Sequence, residues 1–314
     1  MPVRSKRRLA RVGRISKEKN KPRLGLILAL IASVLLLLSG IFVFRQSKFY
    51  GQSSKLSLVT LDEIGNAQIL VFDKTNKTIT AIKVPAATEI SASNQLGQWR
   101  VASLWKLGFD EKLGGSLLKN SLVKNFHLPI FVWADKPAMG FYKGDVKSIF
   151  LAVFSNYRSS FGLADRIRLG LFSLRISARN KTDFDISETI LVKKARLTDG
   201  QNGFRLTGSP IPLDLLAIFA NAQIANSNFK VLIHDRGGGS AVAESVGKTL
   251  ENMGVKVVGI LDEPKQSGSC SLVAKNKVLA NFVNLVVGCG TVSAVLDDAL
   301  DLEITLGIDF VKNY

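Results

Sequence analysis

Histidine and cysteine are scarce in this 314-residue chain, with two of each beside three methionines and eight prolines. His127, His234, Cys270 and Cys289 match no zinc-ligand spacing, and no metal is called for. Neither histidine lies near a Gly-x-Ser-x-Gly segment, so both read as structural rather than as the base of a nucleophile pair. Asp297, Asp298 and Asp301 fall in a loop-like stretch and read as a solvated face, not as paired catalytic carboxylates. Acidic residues are also scarce at the start of the chain. Residues 1–23 carry ten Lys/Arg and the single acid Glu18, so the tail supplies more than half of the net charge of +17.

Charge is absent altogether from Leu24 to Phe44, a run of 21 residues. At about 1.5 Å of rise per residue a helix of this length crosses the roughly 30 Å hydrocarbon layer. Ten basic residues precede it, and only Arg45 and Lys48 follow closely. The excess of positive charge on the inner side predicts a cytoplasmic tail (1–23), a single-pass transmembrane helix (24–44), a short polar linker (45–55) and a chain otherwise outside the membrane. A cleaved signal peptide is the alternative, but its apolar region is shorter, about 7–15 residues, and FRQSKFYGQ offers no small-residue cleavage site. The basic tail is explained by topology and anionic headgroups without nucleic acid. Outside the membrane disulfides persist, so Cys270 and Cys289 are expected to pair, two unrelated buried thiols being the alternative.

The remainder reads as mixed α/β. Residues 67–84 alternate around the turn residues Asp73-Lys-Thr-Asn76, predicting a hairpin closed by Pro85. Helical spacing follows over 97–127, near Val146–Phe154 and near Ala164–Ile176, with a short buried strand at Leu128–Trp133. Residues 186–208 return to strand and turn, and Leu213–Ala225 reads as one linking helix within a 211–228 connection. From Phe229 the order is β-α-β-β-α-β: strand Phe229–His234, glycine loop, helix Ala241–Met253 with Ser240 as N-cap and Gly254 closing it, strand Val255–Leu261 paired with Ser271–Ala274, helix Val278–Val287 and strand Ile304–Phe310.

The strand–glycine–helix unit at Gly237 and Gly239 invites a dinucleotide reading, but the third glycine of that fingerprint is Val242, and no cofactor is expected. The turn leaves helix-terminal N–H groups for an anion at most. Arg158, Arg166, Arg168, Arg175 and Arg179 suit phosphate through bidentate contacts, or serve as a soluble face.

Two stretches resemble one family. Phe229–Asp235, AVAESVGKTLENMGVKVV and ITLGIDF are similar to the C-terminal domain of LytR-type proteins, over about residues 228–312. Upstream, ILVFDKTNKTITAIKVPAATEI resembles the LytR-CpsA-Psr strand–turn–strand leading into Ser-Ile-Pro-Arg-Asp-Thr. Leu163-Ala-Asp-Arg-Ile-Arg168 resembles the later D-x-x-R-x-x-R-Q helix of that family. The resemblance implies a worn LytR-CpsA-Psr domain (56–210) and a small C-terminal domain (229–314). It also implies a polyprenyl-pyrophosphate-linked glycan, moved to the cell wall by arginines and acid-held metal. Here the Arg-Asp pair is Ala86-Ala87, and alanine offers no charged donor to phosphate. Only Arg166 and Arg168 carry over as ligand candidates. The expectation is a non-catalytic binding or scaffolding protein of the cell envelope. Its partners would be the lipid bilayer and a lipid-linked glycan, a cell-wall polymer or an envelope protein. An active phosphotransferase and a protein-docking adaptor are the alternatives.

Overall fold

The computed structural model describes residues 26–34, 40 and 54–314. Residues 26–34 are helical with exposed side chains. The tail 1–23 and most of the run 24–44 and of the linker 45–55 lie outside the described residues, and among the described residues no helix is long and apolar enough to cross a membrane. Residues 1–45 and 46–314 separate as two compact units.

The larger unit contains three sheets. The first is built on β1 (Lys55–Leu61), β2 (Ala67–Asp73) and β3 (Thr78–Val84), a meander of antiparallel neighbours. Every residue of β2 is buried, and Ile69–Phe72 run apolar on both faces as suits a central strand. The Asp73 carboxylate accepts the N–H groups of Thr75 and Asn76 at 2.9 Å, which fixes the predicted turn. Beyond β3 come β4 (Thr88–Ser91), β5 (Gln98–Arg100) and β6 (Val132–Trp133), then β7 (Lys181–Asp185), β8 (Val192–Arg196) and β9 (Asn202–Leu206). The first sheet is ordered β6-β1-β2-β3-β7, with both outer strands parallel to their neighbours; the second is β5-β4-β9-β8. Of the strand expected at Leu128–Trp133 only the last two residues pair.

Helices Val101–Asp110, Ser116–Phe126, Val146–Phe154 and Leu163–Leu174 follow the predicted apolar spacing, while residues 98–100, at the start of the stretch expected to be helical, form β5 instead. The expected single linking helix is two, Leu213–Phe219 and Ala222–Ala225. Asn221 separates them: its side-chain oxygen accepts the Gln223 N–H at 3.0 Å and the Ser54 hydroxyl at 2.9 Å, starting a new helix.

The third sheet contains β10 (Lys230–Asp235), β11 (Lys256–Asp262), β12 (Cys270–Ala274), β13 (Gly290–Thr291) and β14 (Leu302–Leu306), ordered β11-β10-β14-β12-β13. The expected β-α-β-β-α-β elements are present, with the short strand β13 added before the last strand and a helix after it. However, β12 pairs with β14 and β13 rather than with β11, because β14 lies between β10 and β12. The last strand is also shorter than expected. At Gly307 a Cβ would stand 2.2 Å from the Gly268 carbonyl oxygen, so the chain passes that backbone as glycine and turns into the helix Ile308–Asn313. Cys270, opening β12, is bonded to Cys289, just past the helix Lys277–Val287; both are buried.

Candidate functional site

The loop Pro85–Thr88 joins the first sheet to the second, and its course is held from three sides. Asn66 accepts the Ala86 N–H at 2.8 Å through its side-chain oxygen, the Ala86 carbonyl accepts the Ala102 N–H at 3.1 Å, and the Ala87 carbonyl accepts the Phe204 N–H at 3.0 Å. Asn66 is itself fixed by Asp62. One Asp62 oxygen accepts the N–H groups of Ile64, Gly65 and Asn66, each at 2.9 Å; the other accepts the side-chain amides of Asn66 at 2.7 Å and Gln68 at 3.2 Å. Burial works to raise the Asp62 carboxyl, but these donors outweigh it and hold the group below its ordinary value. The carboxylate that the sequence left unassigned at this turn is therefore a backbone anchor.

Next to the loop, Glu89 is buried in β4. It accepts the Thr198 N–H at 3.0 Å, the Thr198 hydroxyl, and Arg205 through Nη2 at 2.9 Å and Nε at 3.2 Å. An open hollow of about 490 Å³ adjoins the loop, lined by Ala87, Lys194, Arg196, Asn202 and Phe204 among others. A second, of about 290 Å³, lies between Asp62, Ile64, Lys136, Met139 and Lys143. Basic side chains line both hollows, yet at Ala86-Ala87 itself no side chain can donate.

The two candidate arginines do not converge. Two residues apart on a helix, they point about 200° from each other. The Arg166 guanidinium stacks 3.7 Å over the Tyr157 ring and donates to the Ser155 carbonyl at 3.1 Å, the Tyr157 carbonyl at 2.8 Å and the Ser159 hydroxyl at 2.9 Å. It thereby stitches the 155–159 loop to its helix. Arg168 lies on the side of the β2–β3 turn, where burial and then the Arg168 charge lower the Lys74 ammonium. Arg158 pairs with Asp135 at 3.3 Å and lies 3.4 Å over Phe109. Arg175 and Arg179 are exposed.

The histidines are placed by packing. His127 ends the helix Ser116–Phe126 in a left-handed conformation, and burial pushes its imidazole down. Its Nδ1 lies 3.1 Å from the Ser245 hydroxyl, but that hydroxyl also meets the Tyr314 hydroxyl at 2.9 Å and the Lys124 carbonyl at 3.3 Å. Three partners around a buried serine make a joint between β10–β14 and the upstream helices, not a free nucleophile. His234 pairs with Glu263, which Arg236 also holds. Among the described residues no group of His, Cys, Asp and Glu could hold a metal ion.

The glycine turn after β10 is occupied by its own chain. Asp235 Oδ1 accepts the N–H groups of Gly237 and Gly238 at 3.0 Å and Gly239 at 3.4 Å, so these donors are not open to an anion. Gly239 rather than Ser240 caps the helix Ser240–Asn252.

No protein-family profile and no curated protein matches the chain. Among solved structures it is similar to Bacillus subtilis TagV, at 7% identity over 66% of this chain and 100% of that one, with a TM-score of 0.38. It is similar to Bacillus subtilis TagT at 11% identity over 50% and 85%, TM-score 0.34. A further similar structure is the LytR-CPS2A-psr family protein YwtF (TagT) with bound octaprenyl pyrophosphate lipid, at 12% identity over 56% and 92%, TM-score 0.37.

Proposed function

We propose that this chain is a membrane-anchored, extracytoplasmic protein of the cell envelope that binds or scaffolds without transferring a glycan. The charge-free run at 24–44 and the basic tail before it support the anchor and its orientation. The resemblance of residues 69–90 and 163–168 to LytR-CpsA-Psr segments, and of the last 86 residues to a LytR C-terminal domain, supports the envelope assignment.

The absence of transfer is carried by one observation. The loop where the family resemblance requires an Arg-Asp pair holds Ala86-Ala87, while Arg166 is committed to the 155–159 loop. Transfer from a pyrophosphate leaving group needs donors or a metal where charge develops. Neither alanine supplies one. A binding role asks less, because retention of a lipid-linked glycan or wall polymer does not require the transition state to be stabilised.

The test is the full chain in detergent, given a polyprenyl-pyrophosphate-linked glycan and a peptidoglycan acceptor. The expected result is retention of donor with no product; time-dependent transfer to the acceptor overturns the reading. Protease added to intact cells with permeabilised outer layers is expected to digest the carboxyl-terminal part. Protection of that part with cleavage of the tail overturns the topology.

A further inference from the structure

Two neighbouring helices carry apolar side chains on their exposed as well as their buried sides. In Val146–Phe154, Ile149, Ala152 and Val153 are buried, yet Val146, Phe150 and Phe154 are 75%, 60% and 59% exposed. Those three recur every four residues, so they form a second stripe, and the Phe150 and Phe154 rings lie 4.9 Å apart. In Leu163–Leu174 the same happens: Leu163, Leu171 and Leu174 are exposed and Ile167 partly so. The helices meet at Gly170, where a Cβ would lie 2.7 Å from a Val153 methyl and 3.2 Å from one of Ile149. Leu163, Ile167, Leu171 and Leu174 all fall within about a third of a turn of Gly170 on one side, and Phe150 and Phe154 directly follow Ile149 and Val153. The two stripes thus flank one crossing. Exposed apolar surface gathered in this way marks an interaction site rather than scattered surface residues.

Its border is basic. Lys143 and Lys147 are exposed at the start of the first helix, and Arg175 and Arg179 just past the end of the second. Lys181 donates to the Lys143 carbonyl at 2.9 Å, which brings the chain after the second helix back to the start of the first. Between Lys143 and Arg179 the acids are Asp145, which caps its helix through the Ser148 N–H, and Asp165, which is buried.

Large apolar groups bordered by Lys and Arg fit a surface that is apolar beneath and anionic above. The chain's own length favours the same partner. Only nine residues separate the end of the charge-free run at Phe44 from Ser54, a reach of roughly 35 Å at full extension. We propose that this helix pair docks on an anionic lipid surface, as a second and peripheral membrane contact beside the tether. The proposal rests on the anchor reading above.

The experiment reconstitutes the full chain into vesicles of phosphatidylcholine alone or mixed with phosphatidylglycerol. An environment-sensitive dye is attached through Phe150→Cys, through Leu171→Cys, or through Gln201→Cys on the β8–β9 turn as reference. The expected result is blue-shifted, severalfold brighter emission at 150 and 171 in the anionic vesicles, quenched by brominated lipid and independent of protein-to-lipid ratio. Position 201 stays aqueous. Arg175→Glu with Arg179→Glu removes the preference for anionic lipid. If the chain floats with vesicles but both dyes remain open to aqueous iodide, the docking proposal is overturned and the anchor stands. If the dyes are buried only as protein is concentrated, the patch joins two copies, which also overturns it. A chain that does not float with vesicles overturns the anchor reading and the docking proposal with it.

Discussion

Asn66 and Ala86 are joined by a 2.8 Å hydrogen bond from the Ala86 N–H to the Asn66 side-chain oxygen. That bond carries the Asp62 turn into the loop where the family resemblance expects a phosphate clamp. Asn66→Ala leaves the N–H without its acceptor and Asp62 without a donor. We expect a loss of about 1–3 kcal/mol by urea denaturation. Asn66→Asp keeps an acceptor but sets a second carboxylate against Asp62, so it is expected to destabilise at neutral pH and to recover part of the loss on acidification.

Glu89 predicts an acid dependence of its own. The Thr198 hydroxyl, helped by the Thr198 N–H and by Arg205, holds this carboxyl below its ordinary value of 4.5 against the opposing effect of burial. A depressed folded-state value contributes stability that is present above the unfolded value and lost as pH falls through the folded one. Thermal midpoints measured from pH 7 down to pH 3 should therefore fall less steeply in Glu89→Gln than in the parent. Equal slopes would remove Glu89 from the account.

Cys270 and Cys289 close a loop of 19 positions around the helix Lys277–Val287. Closing a loop of this size is worth about 3 kcal/mol in the chain-entropy model. Cys270→Ser with Cys289→Ser should lower the denaturant midpoint accordingly. Reductant should act on the native protein only slowly, because both sulfurs are buried.

Gly170 sets how closely its helix approaches the helix Val146–Phe154. Gly170→Ala places a methyl 2.7 Å from Val153 and should cost about 1–3 kcal/mol through overpacking. Adding Val153→Ala should return part of that loss, a coupling that a double-mutant cycle reads directly.

Much of this architecture was legible in periodicity. The 67–84 hairpin and the helices near 146–154 and 164–176 announce themselves because turn residues or apolar spacing point one way at each place, the second helix running in fact over Leu163–Leu174. What escaped depends on partners distant in sequence. Adjacency in sequence pairs β12 with β11, whereas β10 and β14 lie between them in the sheet. Ser240 has the residue type of a cap, yet it is the first residue of its helix, and Gly239 holds the cap position without a side-chain bond. The Asp62–Asn66 anchor had a signal, the turn-forming D-E-I-G-N, yet its hold on Ala86 is a tertiary contact. Arginine spacing suits a phosphate site, but two carbonyls and a hydroxyl of the 155–159 loop take both terminal nitrogens of Arg166.

Arg166 serves either the loop or a ligand, and two variants separate the roles. Its guanidinium spans three acceptors on the 155–159 loop and stacks on Tyr157, geometry that a planar fork can meet and a point charge cannot. If this is its role, Arg166→Ala and Arg166→Lys should both cost about 2–3 kcal/mol, while the folded fraction keeps any affinity for lipid pyrophosphate. A phosphate clamp would behave oppositely: Arg166→Ala would lose affinity with stability retained, and lysine would recover part of the attraction to phosphate. Denaturation and lipid-binding titrations on the same two variants separate the cases, because loop and ligand would compete for the same donors.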